Sequence, residues 1–157
     1  MNIFAAKFKK SLYEKTPFPT PFRGHSHFCP SPSEQMLGQW NTFDDKTGDM
    51  RGTVRIYEEK GTYQAEIISL YEKDANGKYK VMQAPYPKGY EGVVGTKLFK
   101  EMKVHGDHLK GKVYDPESQK TYHGKVTYHA KTDELILRGS LDKAGLLGRS
   151  QTWKRKK

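Results

Sequence analysis

The sequence predicts an all-β fold: an eight-stranded antiparallel up-and-down barrel preceded by a proline-rich N-terminal arm. Three observations carry this expectation. From Met36 onward, short segments of alternating polar and apolar residues recur at regular spacing, with no convincing helix between them. Tight turn sequences separate most of them, which favours a meander over long crossovers. The composition also divides near residue 35: five of the eight prolines lie before it and 14 of the 15 glycines after it.

The arm comes first, over residues 1–35. Asn2 to Lys15 places Phe4, Phe8 and Leu12 on one helical face, with Lys7, Lys9, Lys10 and Lys15 around the rest. At this length an isolated helix is marginal. Pro17 to Pro32 favours an extended tether, because proline fixes φ and removes a backbone donor. The apolar stretch Ile3 to Ala6 is too short for the core of a secretory signal, and no small-x-small cleavage site follows it.

The barrel is expected over residues 36–157. Gly38 to Phe43 alternates, and Asp44-Asp45-Lys46-Thr47-Gly48 supplies a turn. In Thr53 to Glu58, Val54 and Ile56 share one face while Arg55 and Tyr57 share the other. Glu59-Lys60-Gly61 leads into Thr62 to Tyr71, and Asp74-Ala75-Asn76-Gly77 turns the chain again. The stretch from Lys78 to Gly95 is irregular. Alternation resumes in Thr96 to Val104, His108 to Tyr114, Thr121 to His129, Glu134 to Ser140 and Arg149 to Arg155, with Asp115-Pro116-Glu117-Ser118 as a further turn. Eight strands of this length can close on themselves and remove the exposed edges that promote aggregation. Such a barrel has room for side chains or for one small ligand. A two-sheet sandwich is the second choice.

Composition narrows the function. The chain has 157 residues, about one domain, and its 28 Lys and Arg against 18 Asp and Glu give a net charge of +10. No run approaches the roughly 20 apolar residues that span a bilayer. One cysteine, Cys29, excludes an internal disulfide framework and any multi-cysteine metal centre. His25, His27 and Cys29 alternate, and would share a face if extended, but they lack a fourth ligand and the paired spacing of zinc motifs, so no metal site and no cofactor is assigned. His105, His108, His123 and His129 fall at turns or on strands. With no nucleophile elbow, phosphate loop or dinucleotide fingerprint, the chain is not expected to be an enzyme.

Several motifs together resemble one bacterial family: Gly38-x-Trp40, Asp44-Asp45-Lys46-Thr47-Gly48, Val54-Arg55-Ile56-Tyr57, Gly111-Lys112-Val113-Tyr114-Asp115-Pro116, Leu137-Arg138-Gly139 and Gly148-Arg149-Ser150-Gln151-Thr152-Trp153. In this order they resemble the family known as domain of unknown function 2147, small exported proteins with a lipocalin-like (calycin) barrel. The Gly-x-Trp opening is also similar to the first-strand signature of lipocalins. The resemblance implies that Trp40, following Gly38, packs at the closed end beneath an arginine from the last strand, Arg155 first and Arg149 in reserve. It also implies export to the periplasm or medium, although no signal segment is visible ahead of Gly38, where family members carry one and this chain has its proline-rich arm.

By the same resemblance, the expected function is non-enzymatic binding of a small, mostly hydrophobic ligand, driven by about 25 cal/mol per Å² of apolar surface removed from water. The candidate lining is Tyr57, Tyr63, Tyr79, Met82, Tyr86, Tyr90, Phe99 and Tyr114, with the Lys73 to Gly95 segment as a lid over the mouth. Trp40, Phe43 and Trp153 would help to fill the core. The competing reading uses the basic surface to bind nucleic acid, an anionic membrane or another protein. Nucleic acid is disfavoured because the cations spread over nearly every strand and turn and 22 of the 28 are lysine, whereas arginine suits bidentate phosphate contacts. Peripheral contact with anionic surfaces stays open.

Overall fold

The computed structural model describes residues 29–157. The helical and tether segments expected within residues 1–28, His25 and His27 among them, lie outside the described residues. Nine strands follow one short helix: α1 (Pro32–Gln35), β1 (Gly38–Phe43), β2 (Met50–Glu59), β3 (Thr62–Lys73), β4 (Tyr79–Val81), β5 (Phe99–His105), β6 (His108–Asp115), β7 (Lys120–His129), β8 (Glu134–Ser140) and β9 (Gly148–Arg155).

Eight of the strands form a closed antiparallel ring in meander order, β1-β2-β3-β5-β6-β7-β8-β9, with β9 returning to β1. The addition to the expected set is β4, a hairpin strand on the outer end of β3 that pairs Tyr71 with Val81 and Lys73 with Tyr79. Asp74 builds its turn by accepting the amides of Asn76 and Lys78, both at 2.9 Å.

The core is densely filled toward the end where β1 begins. Trp40, Val54, Ile56, Tyr63, Ala65, Phe99, Met102, Leu109, Val126 and Leu135 are all buried there or along the barrel axis. Small residues let the curved strands approach closely. A Cβ on Gly111 of β6 would sit 2.7 Å from the carbonyl oxygen of Glu101, where a bulge in β5 shifts the register.

The closed end is capped by a residue type that the sequence reading assigned to the tether. Ser31 begins a helix: its Oγ accepts the Glu34 amide at 3.2 Å, and the Glu34 carboxylate accepts the Ser31 amide at 2.7 Å. This reciprocal capping box, with Pro32 at the start, is legible as Ser31-Pro32-Ser33-Glu34. The extended reading is therefore overturned at Pro32, which opens the helix, and α1 leads directly into Met36, which is fully buried.

Trp40 is also fully buried, and its indole N–H donates to the Met36 carbonyl at 2.9 Å. The Arg155 guanidinium lies 4.2 Å from the Trp40 ring centroid and reaches the carbonyls of Gln35 and Leu37 at 2.6 and 3.2 Å. Arg149, the alternative partner, lies at the opposite end of β9.

Asp133 completes this closure. Hydrogen bonding to Arg155, and then to the Tyr128 hydroxyl, holds its carboxyl below the usual carboxylate range. A carboxyl depressed in the folded state stabilises fully above its unfolded value, and the contribution is lost as pH falls through the folded value. Asp133→Asn is thus expected to flatten the decline of melting temperature on acidification below about pH 4, measured by circular dichroism. A decline as steep as that of the unaltered chain would show that the pair contributes nothing.

Candidate ligand site at the open mouth

The opposite end of the barrel is hollow. Two adjoining cavities of about 390 and 570 Å³ open there and share Leu98, Asp115, Pro116, Glu117, Arg149, Gln151 and Trp153. They form one cleft divided by side chains. Its floor is Trp153, which is 2 % exposed and stacks on Phe99 below with ring centroids 6.3 Å apart. Beneath that pair lie buried core side chains, Tyr63 and Met102 among them.

Each wall follows from strand alternation. In β9, Arg149, Gln151 and Trp153 share the inner face and descend from rim to floor. Leu137 and Gly139 of β8 face the larger cavity beside Val113 of β6. Gly139 carries no side chain where an added Cβ would make only ordinary contact with Tyr122, at 3.6 Å. That missing side chain is part of the space. The smaller cavity is walled by Val54, Ile67 and Leu70, with Tyr90 and Val93 over it. Leu98 is fixed between the two by its backbone, donating to the Ala65 carbonyl and accepting from Tyr114.

Polar groups gather at the rim. Arg149 donates from Nε to the Asp45 carboxylate; this bond, followed by the charges of Asp45, Glu117 and Asp115, raises its pKa. Asp44 is lowered by the amides of Thr47 and Lys46, which fix the β1–β2 turn. Gln151 is the polar side chain set deeper, and it accepts the Trp153 indole N–H at 3.4 Å. The arrangement is an apolar-walled cleft with charged groups at its opening, suited to an amphiphile entering tail first.

The expected lining residues disperse. Only Tyr90 and Tyr114 border the cleft. Tyr114 sits on its edge, with the Lys100 ammonium 5.2 Å from its ring centroid. Tyr57 points outward, because the alternation that puts Val54 and Ile56 inside puts Arg55 and Tyr57 outside; Arg55 covers its ring at 5.2 Å. Tyr79 is likewise external, donating to Asp49 at 3.0 Å beside Lys73. Tyr63 and Phe99 are inside but buried in the packed core below the cleft. Met82 packs partly against the core, and Tyr86 is half-buried away from the lining. Of the segment expected as a lid, Gly89, Tyr90 and Val93 border the cleft, whereas β4 builds a hairpin outside it. The sequence reading missed Arg149 and Gln151 as lining residues, although Gln151, two residues before the buried Trp153, and Arg149, four before it, fall on its inner face.

Among the described residues no group of three or more His, Cys, Asp and Glu could hold a metal, and Cys29 is exposed. No helix among them is long and apolar enough to cross a membrane.

Comparison with known proteins agrees with this architecture. A search of curated proteins finds no match. Among solved structures, the chain is similar to one described as "Protein HP1028 from the human pathogen Helicobacter pylori belongs to the lipocalin family", with 22% identity, a TM-score of 0.57, and coverage of 77% of this chain and 82% of that one. At that identity the likeness establishes a shared lipocalin-like fold. The sequence profile described as "Uncharacterized protein conserved in bacteria (DUF2147)" matches residues 38–155, from the first strand to the last, and the chain belongs to that bacterial family.

Proposed function

We propose that the protein is a non-enzymatic binding protein for a small, mostly hydrophobic ligand with one polar end, exported by the bacterium that makes it. The observation that carries this reading is the hollow mouth, an apolar cleft with a Trp153 floor and charged groups confined to its rim. The apolar part of the ligand would cover Leu98, Val113 and Leu137, and the polar end would meet Gln151 and Arg149. Burial of apolar surface supplies the affinity, and the rim groups set orientation. The lipocalin-like fold supports a small-ligand binder, and family resemblance is the support for export.

The test is native mass spectrometry of protein purified without denaturant, with organic extraction of any adduct, followed by titration with an apolar fluorescent probe. Gly139→Phe should fill the larger cavity from its wall and weaken probe binding by about tenfold or more while the fold persists. A chain that carries no adduct and binds no probe, or a Gly139→Phe variant that binds as well as the unaltered chain, would overturn the reading.

A further inference from the structure

Strand register collects on one face what the sequence scatters. Lys103 of β5 lies opposite Lys110 of β6, Lys110 opposite Lys125 of β7, and Lys125 opposite Arg138 of β8. With strands about 4.8 Å apart, these four cations form a single row roughly 15 Å long across the outer surface. Lys100 and Lys112, paired with one another, form a second row beside it. The five lysines are exposed, and none of the six cations lies within ion-pair distance of a carboxylate among the described residues. The acid at the adjoining turn, Asp107, is hydrogen-bonded to His108 at 2.9 Å and feels the charge of Lys125 without lying within ion-pair distance of it. Like charges directly opposite one another destabilise a sheet, so nothing within these strands explains the arrangement.

A second, independent feature adjoins the row. The β8–β9 loop holds Leu141, Leu146 and Leu147 at 70%, 81% and 69% exposure. The loop is built to hold them there. Asp142 accepts the amides of Leu146 and Leu147 at 3.0 and 2.8 Å, and Arg138 donates from Nε to the Gly145 carbonyl at 2.9 Å. Arg138 thus ends the cation row and also fastens the leucine loop. Three fixed, exposed leucines beside unpaired cations match the two components of interfacial binding: apolar insertion among lipid chains and attraction to anionic headgroups.

We infer that this face docks on an anionic lipid bilayer, with the Leu141–Leu147 loop inserted and the Lys103–Lys110–Lys125–Arg138 row on the headgroups. Aliphatic side chains offer no stacking surface to bases, so the leucines favour lipid over nucleic acid. Leu141 and Leu147 also border the larger cavity, so docking sets the open mouth at the membrane surface.

The test is flotation of the full chain with vesicles of mixed phosphatidylglycerol and phosphatidylcholine, compared with phosphatidylcholine alone. The basic residues 1–28 are constant across all variants. The unaltered chain should prefer anionic vesicles by about tenfold or more at low salt. The double variant Lys110→Glu, Lys125→Glu should fall to the level of neutral vesicles. Leu146→Ser with Leu147→Ser should bind anionic vesicles at low salt but be released by about 0.5 M salt, where charge attraction is screened and insertion is needed to hold the chain. Near-ultraviolet circular dichroism verifies that each variant is folded, and apolar probe binding by the charge variant, whose substitutions lie outside the cavity lining, reads the cavity separately from the vesicles. Equal binding to both vesicle types would overturn the inference, as would undiminished binding of the charge variant. Binding to a DNA duplex as tight as to anionic vesicles, with the leucine variant unaffected on either, would show a general polyanion surface instead.

Discussion

Trp40→Ala is expected to lower the free energy of unfolding by about 3–5 kcal/mol, the range for removing a large aromatic side chain from a packed core. Trp40 is fully buried at the closed end, with Tyr128 edge-on at 6.3 Å and the Arg155 guanidinium over its ring, 4.2 Å from the centroid. Truncation removes the contact area, leaves the Met36 carbonyl without the indole donor, and opens a cavity under α1 that the closed ring cannot collapse to fill. Trp40→Phe should recover part of the loss by restoring ring volume without the hydrogen bond. Urea unfolding at neutral pH checks both, and a change below about 1 kcal/mol for the alanine variant would contradict the role assigned to this residue.

Arg155→Ala is expected to cost on the order of 2–4 kcal/mol, because hydrogen bonds to charged groups contribute about 1.5–3 kcal/mol each and several are lost together. The guanidinium binds the Gln35 and Leu37 carbonyls, both oxygens of Asp133, and the face of Trp40. Arg155→Lys should rescue little, since one ammonium on a flexible stem cannot reproduce a planar group with donors aimed in several directions. The Trp40 and Arg155 losses should not add: a double-mutant cycle is expected to show coupling of about 1 kcal/mol from the cation over the indole. Strict additivity would mean that the two residues close the barrel independently.

These effects concentrate at the end of the barrel where the sequence was most legible. Through the family resemblance, Gly38-x-Trp40 and an arginine in the last strand imply a structural lock, and the turn residues mark most strand ends correctly. The β4 hairpin and α1 were missed for different reasons. A three-residue strand has too few positions to show alternation, whereas the Ser31 capping box was readable but outweighed by the surrounding prolines.

The candidate site was less legible. Tyr79 is an aromatic strand residue like Tyr63, and chemistry alone does not tell which face its ring takes, whereas Tyr57 was excludable because alternation sets it opposite Val54 and Ile56. Face is set by parity counted from a known inward residue, and bulges interrupt the count. One in the β2–β3 pair falls between Thr53 and Val54, and another in β5 falls between Lys100 and Lys103. Gln151 escaped notice and Arg149 was weighed only as a reserve partner of Trp40, because polar residues at even spacing from a tryptophan resemble a solvent face until the cleft is seen.

By itself, then, the sequence determined the all-β meander and the strands that close it, because alternation and turn chemistry are local and survive without knowledge of neighbours, whereas the anchoring role of Trp40 was implied by the family resemblance. Only the tertiary structure decided that the barrel is filled at one end and hollow at the other, since that depends on which side chains from different strands meet at the same height. It also decided that cations far apart in the chain form one row, because register, which joins Lys103 to Arg138 across four strands, is a property of pairing and has no local signature.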